Sequence, residues 1–391
     1  MQKKAIFLVF HALAEYSGIT KKIRYQVKAL NECGFETDLC YLGWDKDGNQ
    51  VRWVGDKIQK NFGKGVKAKI EKRFEYNSLY HYIIENDISL VYMRSFINAE
   101  PFIIAFAKKL RRKGVKIVME IPTYPYDNEI KELSKSSKLT YYIDKIFRKN
   151  LANSIDAVVT FSDYDNIFGQ KTIKISNGVD FDALPLKQSY RRNPDVLQLL
   201  VVAELHYWHG VDRAINGLKI YVDKINNLII EEQRPHSVKL IQQVHLNIVG
   251  KAERASGFAL KQQVEDLGLN DYVTFYGALS GEELDNIFEK CDFAIGSLAR
   301  HRSNITKIKT LKNREYAARG LGFVYSEIDD DFETMPYIIK APADESPLDI
   351  NSIVDFYNNH NLNPIDIRKT IEPNLSWKNQ MQKVIFAIFA T

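Results

Sequence analysis

The amino-acid sequence predicts an α/β protein made of two doubly wound domains, and three observations lead to that prediction. The chain has 391 residues, more than one hydrophobic core usually organises. Short continuous apolar runs alternate with helix-like segments, which is typical of a parallel sheet covered on both faces. A polar stretch with two prolines, 181–196, reads as a linker, and the alternation restarts after it. We therefore expect domains over 1–185 and 195–375, followed by a final helix over about 376–391.

The first domain begins with an apolar strand and an amphipathic helix. The run "KKAIFLVF" at 3–10 predicts the strand. The segment after Gly18 predicts the helix, because apolar residues recur at helical spacing until Gly34 ends it. Further strands are predicted at "FETDLCYLG", "ISLVYMRSF", "VKIVMEIPT", "DAVVTFS" and "TIKISNGV".

The second domain repeats the alternation of strands and helices. A helix is expected from Gly210 and another over 310–320, whereas 226–243 interrupts the pattern as a surface insertion. The predicted strands are "LQLLVVAEL", "VHLNIVG", "DYVTFYG", "DFAIGSL" and "LGFVYSEI".

Positive charge is concentrated in the first half of the chain. The formal net charge is +5, yet residues 1–180 hold 30 Lys and Arg against 21 Asp and Glu. Much of this excess lies in 56–74 and 108–116. Basic clusters of this kind favour contact with anionic lipid or another polyanion. The alternative is an ordinary solvated helix face.

Several classes of protein are disfavoured by what the sequence lacks. No apolar run reaches the roughly 18 residues that span a bilayer, and the N-terminus lacks the pattern of a signal peptide, so we expect a cytoplasmic protein. The cysteines Cys33, Cys40 and Cys291 have no metal-site or disulfide spacing, and no metal site is predicted. The motifs of P-loop NTPases, zincins and α/β-hydrolases do not occur.

Ligand-binding residues of doubly wound domains are expected just after the strands. In such sheets the crevice lies at the carboxyl ends of the strands. Several of the post-strand segments carry hydrogen-bond donors or positive charge. They are Gly18, 120–126, 177–180, 204–212, Gly250 with Lys251, and 300–302.

A family resemblance covers the second half of the chain in order. The segments "SNGVD", "YWHGVDRAI", "NIVGKA", "LGLNDYVTFYGALSGEELDNIFEKCDFAIGSLA" and "LKNREYAARGLGFVYS" resemble the retaining nucleotide-sugar glycosyltransferases of family 4. The resemblance implies a GT-B fold, two Rossmann-like domains facing each other across a cleft. It implies that the C-terminal domain binds the nucleotide sugar and the N-terminal domain the acceptor, and that neither metal nor cofactor is needed. The closing "LSWKNQMQKVIFAIFA" is similar to the last helix of the family, which packs back on the N-terminal domain.

The resemblance also assigns donor-site residues. Lys312 matches a lysine that reaches the phosphates, and Glu315 matches a glutamate that accepts hydrogen bonds from ribose hydroxyls. An ordinary salt bridge of Glu315 with Lys312 or Arg319 is the alternative. His209 and Gly210 stand where many members have Lys-Gly at the start of a helix aimed at the diphosphate. A cationic side chain and helix N-termini suit a leaving diphosphate.

Other donor contacts are expected from weaker signals. Glu204 stands where the family usually has arginine. The family's second glutamate is replaced here by Lys307, which we expect to hold a negatively charged sugar or the diphosphate, or else to be solvated. Phosphate or sugar contacts are also predicted for a final group of residues in loops after the strands, Gly18, Gly250, Lys251 and Arg302.

Acceptor-site residues are predicted after a central strand of the first domain. Glu120 is a candidate acceptor base, with a buried structural carboxylate as the alternative, and the rings of Tyr124 and Tyr126 are candidates to orient the acceptor. Together with His209 and Lys312, Glu120 makes up the predicted catalytic set. In the family the leaving phosphate is thought to take the acceptor proton, so a dedicated base is not required.

The predicted function is retaining transfer of a sugar from a UDP- or GDP-linked donor to a saccharide or lipid-linked saccharide in cell-surface polysaccharide synthesis. Peripheral contact with anionic membrane is predicted, and nucleic-acid binding is not. Two alternatives remain open. One is a catalytically silent homologue that serves as a partner or binding subunit, and the other is a nucleotide-sugar 2-epimerase of the same fold.

Overall fold

The structure is a computed structural model that describes residues 2–14, 17–127, 135–188, 195–230, 243–251 and 255–390. The chain divides into two compact units. The first unit is Met1–Gly178 with Trp377–Thr391, and the second is Val179–Ser376.

The first unit is built on a nine-stranded sheet with the order β4-β3-β2-β1-β5-β6-β7-β9-β8. Pairing is parallel from β2 to β9, while β3, β4 and β8 are antiparallel to their neighbours. The strands are β1 (Lys3–Leu8), β2 (Phe35–Trp44), β3 (Gln50–Val54), β4 (Lys57–Gly63), β5 (Ile88–Arg94), β6 (Lys116–Ile121), β7 (Ala157–Thr160), β8 (Asn166–Ile167) and β9 (Gln170–Lys174). The hairpin of β3 and β4 was not predicted, because "QVRWV" and "KIQKNFG" are too polar to stand out as apolar runs.

Six helices accompany this sheet in the described part of the first unit. They are α1 (Gly18–Glu32), α2 (Gly65–Phe74), α3 (Asn77–Glu85), α4 (Pro101–Arg112), α5 (Lys135–Ala152) and, at the end of the chain, α12 (Trp377–Phe389). Lys3 Nζ lies 4.3 Å from the ring centroid of Phe389, and the Phe35 ring lies 5.7 Å from the same ring. The last helix therefore packs on the first unit through aromatic contacts.

The second unit has a six-stranded sheet, parallel throughout, with the order β12-β11-β10-β13-β14-β15. The strands are β10 (Val196–Val202), β11 (Gln243–Val249), β12 (Val273–Gly277), β13 (Phe293–Ile295), β14 (Gly322–Tyr325) and β15 (Ile338–Lys340). The helices are α6 (Val211–Ile230), α7 (Ala255–Asp266), α8 (Gly281–Lys290), α9 (Leu311–Arg319), α10 (Ile350–Asn359) and α11 (Pro364–Leu375).

The core of the second unit lies on both faces of its sheet. Leu199 and Val201 of β10 belong to one apolar cluster, and Leu200 between them belongs to another. The continuous apolar run of this strand is explained by this two-sided burial.

The predicted linker differs from the structure in part. Residues 189–194 lie outside the described residues, but 181–188 belong to the second unit. The guanidinium of Arg368 donates to the backbone carbonyls of Phe181 and, at 3.1 Å, Leu184. These hydrogen bonds hold a polar, proline-containing stretch that has no sequence periodicity. The predicted insertion at 226–243 lies outside the described residues from 231 to 242, and its first residues continue α6.

Candidate functional site

The direction of strand order reverses between β10 and β13 in the second unit. At such a switch point the loops leave the sheet on opposite sides and open a crevice at the carboxyl ends of the strands. Two short 3₁₀ turns follow these strands, Tyr207–His209 and Arg300–Ser303. They lie together, because the backbone N–H of Leu298 donates to the His209 carbonyl at 2.9 Å.

Gly210 is needed for the close packing of these loops. Its φ is +67°, and a Cβ there would lie 2.8 Å from the Leu298 Cβ and 3.0 Å from the Ala299 N. Glycine is the residue that fits a left-handed conformation in so small a space. This packing accounts for Gly210 without a ligand, whereas the prediction that it lies at a donor site remains a prediction.

His209 is buried at this switch point with its Nδ1 lacking a hydrogen-bond partner among the described residues. Burial lowers the pKa of the imidazole far below its ordinary value, and the positive charges of Lys312 and Arg300 lower it further. The ring is therefore neutral in the structure. A neutral ring that carries its proton on Nδ1 can donate a hydrogen bond to an anionic ligand.

Lys312 lies in the first turn of α9, and its buried ammonium is near enough to His209 and Arg300 to interact with both electrostatically. Its Nζ has no hydrogen-bond partner in the described parts of the chain. Burial and the charge of Arg300 lower the pKa of Lys312 to about 7, while Glu327 acts in the opposite direction. A buried ammonium without an acceptor is costly, so this position suits an anionic ligand.

Glu327, which sequence reasoning missed, is a buried acid that interacts electrostatically with Lys312. It follows β14, is 2% exposed, and neither carboxylate oxygen has a hydrogen-bond partner among the residues that the structure describes. Burial raises the pKa of Glu327 to about 7, against the opposing effects of its own backbone N–H and of the charges of Arg300 and Lys312. The signal was present in the sequence as an acid two residues after the apolar run "GFVY", at the carboxyl end of a predicted strand.

Further polar atoms with unused hydrogen-bonding capacity lie at the same strand ends and at the start of α9. Within the described chain, no partner is present for the buried atoms Ser297 Oγ, Thr310 Oγ1 and Asn313 Oδ1. Buried polar atoms in folded proteins are usually hydrogen-bonded. Their concentration after β13 and β14 and around the start of α9 is typical of a polar ligand site. We call Lys312, Glu327, His209, Ser297, Thr310 and Asn313 the switch-point cluster.

A buried ion pair fixes the elements that carry the switch-point cluster. Arg314 on α9 donates to Asp329 Oδ1 at 2.9 Å and Oδ2 at 2.5 Å, and to the Thr310 carbonyl at 2.9 Å. Asn313 Nδ2 donates to Asp329 at 3.1 Å. The start of α9 is thus held against the segment after β14.

Two predicted donor contacts, Arg302 and Lys307, are already bound to carboxylates. Arg302 lies 2.7 Å from Asp212 Oδ2 and donates through Nε to Glu345 Oε1 at 3.0 Å. Lys307 Nζ lies 2.6 Å from Asp330 Oδ2. The structure therefore does not bring these charges into the switch-point cluster, and this geometry argues against the predicted role of Lys307 with a negatively charged sugar.

Glu315 lies on α9, one turn after Lys312, with its side chain 31% exposed. Its Oε1 accepts a hydrogen bond from Arg319 Nε at 3.1 Å. The predicted alternative, a salt bridge with Arg319, is thus present. A ribose-binding role remains a prediction, because the partly exposed carboxylate keeps a second oxygen.

The remaining predicted donor residues have varied surroundings. Glu204 is exposed and contacts His206 at 3.4 Å. A Cβ at Gly250 would lie 1.7 Å from the Ala203 carbonyl oxygen, so glycine there is required by the crossing of two loops. Lys251 is exposed, and a Cβ at Gly18 would meet no atom within 4 Å.

Glu120 in the first unit is completely buried and fully bonded. Lys22 Nζ lies 3.2 Å from Oε1, Arg94 donates to the same oxygen, and Gln26 and Tyr92 donate to Oε2 at 2.6 and 2.8 Å. Burial by itself would raise the pKa of Glu120, but Lys22 and Arg94 hold it at about 2. A carboxylate with so low a pKa is a weak base, so these contacts favour the structural alternative over an acceptor base.

The two predicted acceptor tyrosines pack near each other through aromatic contacts. The ring of Tyr124 meets Phe168 edge-on at 5.5 Å, and the ring of Tyr126 meets it at 6.0 Å. The Tyr126 hydroxyl donates to Asp144 at 3.0 Å. Both tyrosines thus pack against the apolar core of the first unit, and their acceptor roles remain predictions.

Within the described ranges, no group of three His, Cys, Asp or Glu side chains is arranged to hold a metal ion. The described helices likewise include none with the length and apolar character needed to cross a bilayer.

Comparison with solved structures identifies the fold. Sucrose-phosphate synthase from Thermosynechococcus elongatus matches over 100% of both chains with a TM-score of 0.67 and 14% sequence identity. The catalytic domain of starch synthase IV from Arabidopsis thaliana, bound to ADP and acarbose, matches over 100% of both chains with a TM-score of 0.59 and 12% identity. Anabaena HepE in complex with UDP matches over 98% of this chain and 99% of its own, with a TM-score of 0.58 and 14% identity.

These full-length matches confirm the predicted fold class, an α/β GT-B fold with two parallel-sheet domains. No protein-family profile and no curated protein sequence matches the chain significantly. Identities of this size establish the fold alone, so the reaction has to be inferred from the residues of the site.

Proposed function

We propose that this protein is a metal-independent retaining glycosyltransferase that moves a sugar from a nucleotide-diphosphate donor to a saccharide or lipid-linked saccharide. The observation that carries the proposal is the switch-point cluster, in which a buried ammonium and several buried polar atoms lack partners among the described residues. The cluster lies where α/β sheets bind nucleotides. Two of the solved structures with this fold hold the nucleoside diphosphates UDP and ADP.

The chemistry of sugar transfer suits this arrangement. The bond between the anomeric carbon and the diphosphate oxygen breaks, a bond to the acceptor oxygen forms on the same face, and the acceptor proton passes to the leaving diphosphate. Negative charge develops on that diphosphate. Lys312 and the N-termini of α6 and α9 would stabilise this charge, and the neutral ring of His209 would donate a hydrogen bond to it from Nδ1. Glu315 would bind the ribose.

Release of nucleoside diphosphate from a panel of UDP- and GDP-sugars tests this proposal. We expect turnover with at least one donor, and loss of turnover in Lys312→Met. If no donor on the panel binds or turns over, the proposal is wrong and the silent-homologue alternative is favoured. Assay in the presence of a chelator tests metal independence, since a metal-dependent enzyme would lose its activity.

We further propose that the first unit contacts anionic membrane, which would place a lipid-linked acceptor within reach and the protein at the cytoplasmic face. Val66, Ile70 and Phe74 are exposed at four-residue spacing along α2. The ring of Phe74 lies 5.2 Å from that of exposed Phe102 on α4.

The adjacent helix α5 extends this apolar surface. Arg73 of α2 donates to Thr140 of α5 at 3.2 Å, and Leu139 and Ile146 of α5 are exposed. Exposed basic residues accompany the apolar ones, Lys67 and Lys69 on α2 and Lys108, Lys109, Arg111 and Arg112 on α4. An apolar patch flanked by cations suits the interface of an anionic bilayer better than water.

Flotation with phosphatidylcholine vesicles, with and without phosphatidylglycerol, tests this contact. We expect binding only to the anionic vesicles, and loss of binding in Ile70→Glu. The matched control is Ile220→Glu on α6 of the second unit, because Ile220 is 54% exposed and Ile70 56%. Equal flotation of the two variants would remove the proposal.

A further inference from the structure

The carboxylate of Glu327 is held in place without using its own oxygens. On one side Ser326 N donates to the Ser297 carbonyl at 3.0 Å. On the other side Asp329 is bound by Arg314 and Asn313, and Lys340 Nζ donates to the backbone carbonyl of Glu327. The backbone and neighbouring side chains thus fix the segment, while both Glu327 oxygens remain without partners among the described residues.

Two cations, Arg300 and Lys312, act on this carboxylate electrostatically, and neither donates a hydrogen bond to it. Lys312 lies close enough to interact with Glu327 electrostatically, but no hydrogen bond joins the two side chains, and the Nζ atom also lacks a partner in the described chain. A buried ion pair that served only stability would be expected to close into direct contact. The carboxylate and the ammonium thus offer a ligand an acceptor and a cation that no other described residue uses.

The segment that carries Glu327 runs beside the residue at which the family resemblance leads one to expect a carboxylate. Lys307 occupies that position and forms a parallel bridge with Ile328. Ile328 N donates to the Thr306 carbonyl at 2.8 Å, and Ile308 N donates to the Ile328 carbonyl at 3.0 Å.

Side chains alternate along this extended segment. Ile328 and Asp330 are exposed, as is the Lys307 ammonium that Asp330 binds, whereas Glu327 and Asp329 are buried. Lys307 therefore faces away from the switch-point cluster, and Glu327, one residue from its bridge partner, faces into it.

We propose that Glu327 is the residue that accepts hydrogen bonds from the hydroxyl groups of the transferred sugar, and that this sugar is a neutral hydroxylated one and not a uronic acid. The inference rests on the proposed function and adds the sugar subsite to it. A carboxylate accepts hydrogen bonds from hydroxyls and repels a second carboxylate. Lys307 and Arg302, two cations that were predicted as donor contacts, are bound by Asp330, Asp212 and Glu345.

Two titrations separate this role from a general effect on the site. The affinity of wild type and Glu327→Gln is measured for a nucleoside diphosphate and for the matching nucleotide sugar. We expect the diphosphate affinity to change by less than about threefold, and the nucleotide-sugar affinity and turnover to fall by about 10- to 100-fold, the range for hydrogen bonds to a charged group. The variant's thermal unfolding is recorded to show that it is folded.

Asp330→Asn is the matched control, because Asp330 lies on the same segment with its side chain on the exposed side. It should leave both affinities unchanged. A pair of donors with the same nucleotide, one carrying a neutral hexose and one its uronic acid, tests the sugar class. Wild type should turn over the neutral donor faster than the uronic acid donor. In Glu327→Gln the ratio of these two rates should be smaller.

The inference is overturned if Glu327→Gln weakens the diphosphate and the nucleotide sugar equally, since Glu327 would then act only through Lys312. It is also overturned if wild type uses the uronic acid donor as well as the neutral one. If wild type binds no nucleoside diphosphate at all, the proposed function falls and this inference with it.

Discussion

Two buried carboxylates, Glu120 in the first unit and Glu327 in the second, stand near the carboxyl ends of parallel strands beside cations, yet their surroundings differ. Glu120 receives two cations and two neutral donors, and its pKa is held at about 2. Glu327 receives no hydrogen bond from any other described residue, and burial raises its pKa to about 7.

Hydrogen bonding distinguishes a carboxylate with a structural role from one that is available to bind a ligand. A buried carboxylate that is completely hydrogen-bonded contributes to the stability of its own unit. A buried carboxylate whose oxygens are unused costs stability in the absence of a ligand, and such strain is typical of functional sites. By burial alone the two carboxylates could not be distinguished, since Glu120 is 0% and Glu327 2% exposed.

The largest expected effect is on stability, at Glu120. Glu120→Gln removes the negative charge between Lys22 and Arg94 and should destabilise the first unit by about 3 to 5 kcal/mol. Chemical denaturation followed by circular dichroism measures the change. Glu327→Gln is the matched variant in the second unit and should lose no stability at pH 8, because it removes a charge that burial disfavours. Equal losses of unfolding free energy in the two variants would contradict the proposed difference between the two carboxylates.

The next effect is on acid stability. The folded pKa of Glu120, about 2, lies below its ordinary value of 4.5, so the unfolded chain binds the proton more tightly. The stabilisation is present above about pH 4.5 and is lost as the pH falls toward 2, with a total of about 3 kcal/mol. Denaturation of wild type and Glu120→Gln across this range should show the two curves converging at low pH. Parallel curves would contradict the low pKa.

Lys312→Met should strongly reduce activity and barely change stability, whereas Glu120→Gln is expected to reduce stability. Donor turnover is expected to fall by about 10²- to 10³-fold, the usual loss when one charge-stabilising group is removed. Stability should change by less than about 1 kcal/mol, because an ammonium without an acceptor is lost. Lys307→Met is the control, and it should alter turnover by only a few fold since Asp330 binds that ammonium. A similar loss in both variants would count against the switch-point cluster.

The smallest effect is expected at Glu315. If it binds ribose, Glu315→Gln should weaken nucleotide binding by about tenfold, which calorimetric titration measures. Asp285→Asn is the matched control, because Asp285 is the other acid bound to Arg319, at 2.7 Å. Equal effects of the two variants would show that Glu315 acts only through its salt bridge with Arg319.

Sequence reasoning predicted some residues of the switch-point cluster and did not name others. Lys312 lies on the predicted helix, because a motif of adjacent residues fixes its place. Arg302 and Lys307 were predicted as donor contacts from their loops, but carboxylates distant in sequence bind both. Glu327 was missed although it lies at the carboxyl end of a predicted strand, because that position alone does not tell a buried acid from an exposed one.

Hydrophobic periodicity and local spacing predicted the α/β class, the positions of most strands along the chain and the helix that carries Lys312 and Glu315. These patterns depend only on neighbouring residues. Which charged side chains find an oppositely charged partner depends on the tertiary structure. Arg314 is buried against Asp329, Lys307 faces Asp330, and Lys312 is left beside Glu327 without a hydrogen bond. Whether a charge has a partner depends on side chains that folding brings together from separate elements, and no local pattern records that.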